Sequence, residues 1–296
     1  MGNSGSSGRV EVTDEQVEEF CKQCRPLDLL VFRGSEGVSK LIRKLQKKEI
    51  GSGDVSHVEV VITPEWCDRI TKLSTKFKAF PSHESFKPHP HYLLSWGSTL
   101  SGKLNDGVND GETGKVKFGV QVRDLRLLVK KYASKSNANV GVCRLKFNPT
   151  GPGSNPSETM LEADFSQGLT DEEKAELKKK IGEAYDKYHE SIYNFNVLDL
   201  LASLYPELRP TRDRLQKILR KHFLKGKDEF LFCSEFAASL YQDLGIINDA
   251  TDGKVDGEVL EAGNVVPVDF LGHDTDTNGI RVRLCEEPIW IKPLEG

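Results

Sequence analysis

The sequence predicts an α+β protein, an antiparallel sheet packed against helices. Short runs of apolar and β-branched residues crowd the first half, at 28–32, 56–63, 92–96, 115–122 and 139–147. Helical apolar spacings flank these runs without the regular alternation of a βαβ array. Two capping boxes, Thr13 with Gln16 and Thr170 with Glu173, mark helix starts on either side of the strand-rich stretch.

Residues 1–12 are small, polar and Gly-rich, and read as a flexible tail. The globular part is residues 13–296, strand-rich over about 26–147 and helical over about 169–246. A short helix follows Thr13 to about Cys24. Asp28–Phe32 is an apolar strand ended by Arg33-Gly34. Val38, Leu41, Ile42 and Leu45 recur at helical spacing, so 36–48 is an amphipathic helix. A Gly/Ser turn leads into the β-branched strand Ser56–Thr63. Residues 68–90 are polar and broken by prolines, a surface excursion. Tyr92–Trp96 is a strand and 101–114 a long loop. Lys115–Val122 and Asn139–Phe147 are strands around a short helix at 124–132.

The Pro/Gly/Ser-rich 148–168 is the best boundary between two lobes. A helix runs from Thr170 to about Tyr188, and a basic one over Thr211–Phe223. Phe230–Phe232 runs straight into a helix at Ser234–Leu244, closed by Gly245. Ile280–Leu284 and Ile289–Ile291 complete the strands.

With 37% hydrophobic and 29% charged residues over 296 positions, the composition is that of a globular chain able to bury a core. A net charge of −4 provides no broad basic field, which argues against nucleic acid as a partner. Six cysteines without a leading signal peptide point to a reducing, cytoplasmic setting rather than a disulfide scaffold. No apolar run is long enough to span a membrane. Met1-Gly2-Asn3-Ser4-Gly5-Ser6 fits the N-myristoylation pattern, with Gly2 as acceptor. The same letters also make a plain flexible tail. An acyl group there would give weak, reversible membrane association.

Two residues carry the chemistry. Cys233 stands where an apolar stretch meets a helix start, in Phe232-Cys233-Ser234-Glu235. The helix N–H groups and dipole favour a thiolate there and can stabilise an oxyanion. An inert core cysteine is the competing reading. His57 lies on the strand Ser56–Thr63, where alternation puts His57 and Glu59 on one face and Val58, Val60 and Ile62 on the other. A polar pair on an otherwise apolar strand points to a cleft, and an exposed edge histidine is the alternative.

The order of Asp28–Phe32, Ser56-His57-Val58, then Phe232-Cys233-Ser234-Glu235 resembles the YiiX/YebB-like hydrolases, circularly permuted members of the NlpC-type papain-like superfamily. Further matches are Ser98-Thr99-Leu100-Ser101-Gly102, Gly119–Leu125, Tyr193-Asn194-Phe195 and Asn264–Phe270, so the likeness spans about 26–272. No single motif is highly specific; the resemblance rests on their shared order. The resemblance implies a permuted papain-like fold and a thiol hydrolase cleaving an amide or (thio)ester through an acyl-enzyme. Cys233 would be the nucleophile and His57 the acid–base. Tyr193 is expected to line the cleft, or to be a half-buried core tyrosine, and Ser234 to contact substrate. The substrate class implied is a peptide or lipid-linked acyl group, with no cofactor and no metal.

One position departs from the family. The glutamate that orients the imidazole precedes the Ser-Thr pair in the family, and here that position is Gly97. Glu59, two residues from His57 on the same strand face, is the candidate replacement. Two other readings stay open, a catalytically impaired binding or scaffold protein on the same fold and an acyltransferase.

Other signals are weaker. Cys21-Lys22-Gln23-Cys24 lacks further metal ligands and a preceding strand, and reads as surface or packing cysteines. His83, His89 and His91 lie in a proline-broken loop, and the basic helix reads as a solvated face. Asp106, Asn109, Asp110 and Glu112 lack the spacing of a calcium loop.

Overall fold

The computed structural model describes residues 12–34, 37–49, 54–67, 69, 93–100, 108, 110, 111, 113, 115, 117–135, 138–144, 170–193, 230–246, 267, 270 and 288–293. Among these the protein is α+β, with five α-helices and a six-stranded antiparallel sheet.

Helix α1 (Asp14–Gln23) starts as its capping box dictates. The Thr13 N–H donates to the Gln16 carboxamide at 2.9 Å, and the Gln16 N–H donates back to the Thr13 hydroxyl at 3.3 Å. The chain then turns. The Asp28 carboxylate accepts from the Arg25 N–H at 2.8 Å, and Leu27 takes a left-handed φ of 69°, rare for a branched residue. Both its backbone groups are held: its N–H donates to Val61 O at 2.7 Å, and its carbonyl accepts from the Tyr241 hydroxyl at 2.8 Å. Surrounding bonds over-determine a conformation the residue disfavours.

Strand β1 (Leu29–Arg33), helix α2 (Gly37–Glu49), strand β2 (His57–Ile62), a single 3-10 turn at Pro64–Trp66, strand β3 (Leu94–Leu100) and strand β4 (Phe118–Asp124) follow. Asp124 ends β4 and caps helix α3 (Leu125–Ala133), accepting from the Leu127 N–H at 2.8 Å. Strand β5 (Asn139–Cys143), helix α4 (Asp171–Tyr188), strands β6 (Ile192–Tyr193) and β7 (Phe230–Leu231), helix α5 (Cys233–Asp243) and strand β8 (Ile289–Trp290) complete the order.

The sheet runs β4-β3-β2-β1-β5-β8, every neighbour antiparallel. β6 and β7 form a separate parallel pair. The registers Leu29↔Val60, Val60↔Trp96 and Trp96↔Val122 put these four side chains on one face. That face packs against α4 and α5 through Ile181, Tyr185, Phe236, Ala237 and Leu240. Leu30, Phe32, Val61, Val140 and Val142 point to the other face, under α1 and α3. Helices thus cover both faces, and β2 is buried on each side.

Three strands differ by more than one residue from their sequence-based bounds. The strand expected at 92–96 runs from Leu94 to Leu100, because its ladder with β4 continues through Gly97, Ser98 and Thr99 for seven residues. The strand expected at 115–122 is Phe118–Asp124. Asp110 sets its edge: its carboxylate accepts from the Val122 N–H at 3.2 Å and from the N–H and hydroxyl of Thr113 at 2.9 Å each. β5 ends at Cys143, short of the expected 147. The Gly2 tail, most of the 68–90 excursion, the 148–168 connection, the helix at 211–223, the strand at 280–284 and the three histidines lie outside the described residues. Among the described residues no helix is long and apolar enough to cross a membrane.

Phe236 anchors α5. It is fully buried and makes edge-on contacts with Trp96 at 5.2 Å and Tyr188 at 5.6 Å. Phe236→Ala should cost about 3–5 kcal/mol of stability, read as a lower urea midpoint with an unchanged slope.

Candidate functional site

His57 is the first residue of β2, and three hydrogen bonds of Ser56, one from its backbone and two at its hydroxyl, fasten that point to the end of β1. The Ser56 N–H donates to Phe32 O at 2.8 Å. The buried Ser56 hydroxyl donates to the same carbonyl at 3.1 Å and accepts from the Gly34 N–H at 3.0 Å. The Phe32 ring lies against the imidazole, centroids 5.2 Å apart. The histidine therefore enters the site from a fixed backbone with one flank closed by an aromatic ring.

Cys233 opens α5, as its context predicts. The N-cap of that helix is Phe232, which has no side-chain oxygen to offer the first N–H groups, while Glu235 accepts from the Phe232 N–H at 3.2 Å. The thiol therefore stands at the positive pole of the helix, beside its first N–H groups. The strand feeding the helix is tied to the sheet: the buried Ser98 hydroxyl donates to Leu231 O at 2.6 Å. Cys233 is 3% exposed, and its side chain is hydrogen-bonded to His57. The pair meets where β2 begins, 176 residues apart in sequence.

Glu59 completes the group. Its Oε1 is 2.7 Å from His57 Nε2. Extending the register Val60↔Trp96 by one residue places Glu59 across from Gly97, and the glutamate side chain lies over that glycine. A β-carbon at 97 would come within 2.5 Å of Glu59 Cγ and 2.9 Å of its Cδ. Gly97 is bare because the carboxylate of the neighbouring strand fills the space above it. The expected cleft is corrected in one respect. Glu59 has no exposure at all, and only the His57 side chain, 16% exposed, reaches outward.

Two further residues hold Glu59, and sequence reasoning missed both. Arg123 of β4, 1% exposed, donates from Nη2 to Oε1. The Ser95 hydroxyl of β3 donates to Oε2. The register Ser95↔Arg123 sets these side by side on the same face. An arginine in Gly119–Leu125 whose alternation points it inward was the available signal.

The charges are coupled. Burial pushes the Glu59 carboxyl up, but Arg123, His57 and the Ser95 hydroxyl overcome it and hold its pKa at about 2, against 4.5 for an unperturbed group. Burial disfavours the His57 imidazolium, but the charge and hydrogen bond of Cys233, then those of Glu59, raise its pKa to about 10 from 6.5. An ionised carboxylate has no proton to give, so Nε2 must carry the proton in its bond to Glu59. That leaves Nδ1 as the nitrogen able to exchange a proton with the thiol.

The remaining candidates are placed as follows. Ser234, the second residue of α5, is buried. Tyr193 lies on β6, paired with Leu231 of β7, so its backbone is two residues from the cysteine's position; its side chain is outside the described residues, as is Gly2. Cys21 and Cys24 are buried, and desolvation raises both thiols, Cys21 to about 12. They pack α1 into the core rather than present reactive sulfur. Among the described residues no group of three or more His, Cys, Asp or Glu could hold a metal ion.

The two shifts predict a pH profile of stability. The depressed Glu59 contributes stability in full above pH 4.5, lost as pH falls to about 2. The raised His57 contributes in full below pH 6.5, lost as pH rises through about 10. Urea midpoints should peak between those limits. Glu59→Gln should flatten the acid side, and an unchanged acid slope in that variant would contradict the assignment.

No model of a known protein family matches the chain, and no characterised protein matches it.

Proposed function

We propose that the protein is a thiol hydrolase on a circularly permuted papain-like fold, with Cys233 as nucleophile, His57 as acid–base and Glu59 as the residue that orients the imidazole. The observation that carries this reading is the chain of contacts Cys233–His57–Glu59, in which a cysteine at a helix start meets a histidine whose far nitrogen is held by a buried carboxylate. A solvated histidine or an inert core cysteine has no need of such an orienter. The order of the elements, histidine strand before cysteine helix, fits the permuted arrangement.

The steps follow from the charges. His57 holds the proton of Cys233, giving thiolate and imidazolium. The thiolate sulfur attacks the carbonyl carbon of an amide or (thio)ester, and the carbonyl π pair moves onto oxygen. The N–H groups at the start of α5 stabilise that oxyanion. As the tetrahedral species collapses, the bond to the leaving group breaks and His57 protonates the departing atom. A thioester to Cys233 remains. Water, losing a proton to His57, attacks it, releases the acid and restores the thiolate–imidazolium pair. Glu59 keeps the proton on Nε2 throughout, so that Nδ1 faces the sulfur.

The substrate class that fits is a peptide or lipid-linked acyl group. A protein acting on a lipid-linked group at a membrane would gain from an acylated Gly2, a weak and reversible anchor. The scaffold alternative draws on the bare position 97, and Glu59 over that position weakens it.

The test is acylation. With p-nitrophenyl acetate, the wild type should release nitrophenolate and carry one acetyl group on Cys233 by mass spectrometry. His57→Gln should slow acylation about a hundredfold or more, and Cys233→Ala should abolish the adduct. Acylation of Cys67 as fast as Cys233 sinks the reading. An added amine that captures the acyl group in preference to water assigns acyl transfer instead. A second check moves the carboxylate. Gly97→Glu alone should impair folding, since Glu59 fills its space, whereas Glu59→Ala with Gly97→Glu should recover part of the acylation rate lost in Glu59→Ala.

A further inference from the structure

The row of charged groups does not stop at Glu59. Arg123 Nη2 and His57 Nε2 converge on one oxygen, Oε1, of a carboxylate with no exposure, and Ser95 takes the other. The row Arg123–Glu59–His57 therefore sets a cation, a carboxylate and an imidazole in succession, leading to the Cys233 side chain, across β4, β2 and α5. We infer that Arg123 is a positioning residue for the thiol: by pairing with Glu59 it keeps that carboxylate charged and pinned to the Nε2 proton, which holds His57 in the tautomer that can accept the proton of Cys233. This rests on the reading of Cys233 and His57 as a reactive pair.

The physical argument is one of burial. A carboxylate removed from water and deprived of its cation takes up a proton rather than stay charged. A protonated Glu59 would donate to Nε2 and drive the imidazole proton to Nδ1, the side facing sulfur. The thiol would then have no base. Ser95 cannot substitute, because a hydroxyl donates a hydrogen bond without a charge. Other titratable groups near this face are few among the described residues. Tyr132 of α3 stacks edge-on at 5.0 Å on Phe32, the ring that touches His57. On α1, Cys21 faces Arg126, Asp124 and Glu18 rather than Glu59. Arg33 of β1 reaches Asp54 at 3.9 Å. None of these replaces the Arg123 contact.

The experiment is the pH dependence of Cys233 alkylation by iodoacetamide in the full chain, followed by mass spectrometry at that cysteine. The wild type should hold a plateau through neutral pH. In Arg123→Met the acid limb should move up by about one to three pH units, with reactivity returning as pH rises and Glu59 ionises. Arg123→Lys, which keeps a cation, should bring the limb back toward wild type, a rescue that a purely packing role would not give. Glu59→Gln should lack the alkaline recovery, and adding Arg123→Met to it should change nothing further. Should Arg123→Met fail to fold, the Glu59→Gln/Arg123→Met pair, which removes both buried charges, carries the test: its profile must coincide with that of Glu59→Gln. A fast wild type with an unmoved limb in folded Arg123→Met, or a double variant that differs from Glu59→Gln, overturns the role of Arg123. A wild type whose Cys233 labels no faster than Cys67 overturns instead the reading of the pair itself.

Discussion

A carboxylate enclosed by protein stays ionised only if its neighbours replace the water it has lost, and Glu59 has three that do. Arg123 and His57 share one oxygen and Ser95 takes the other, each from a different residue position on β4, β2 and β3. The arrangement depends on register. A slip of one residue between β2 and β3 would turn Ser95 to the opposite face and place a side chain where Gly97 leaves room. The polar row thus ties the alignment of β2, β3 and the edge strand β4 to the orientation of the histidine.

The thiol reaches this row by a separate route. Its helix is seated from the other face, by Phe236 between Trp96 and Tyr188, and by the Tyr241 hydroxyl on Leu27 O. Ser98 bonds the strand that leads into it. The contacts to Trp96, Leu27 and Ser98 each join residues more than a hundred positions apart in sequence, so the pair exists only once distant segments have packed. Leu27, held in a left-handed turn, marks where the start of β1, the end of β2 and α5 are fastened together.

Local signals were legible where the chemistry is local. The capping boxes at Thr13 and Thr170 placed two helix starts to the residue, because the reciprocal bonds lie within four positions. Gly245, with φ of 74°, ends α5 as a left-handed glycine does. The five strands of the first half were legible in order, less so in their limits, while the short β6 at Ile192–Tyr193 was not foreseen. Ser98-Thr99-Leu100 has no strong strand signature, and becomes strand because β4 offers it a ladder. Asp110 sets the edge of β4 from outside the strand, which no strand pattern reveals.

For the site, period-two alternation was enough to put His57 and Glu59 on one face, and a helix beginning at Cys233 was readable from its flanks. Those features are properties of single segments. That the thiol meets the imidazole, that the glutamate lies over Gly97, and that Arg123 and Ser95 close around it are facts about pairs of segments. They follow from strand register and from helices packed on both faces of the sheet, and neither is encoded within one stretch of chain. The sequence determined which groups were available and which way each would point along its own strand or helix. The tertiary structure decided which of them share a charge, because burial and mutual distance exist only after the segments have met.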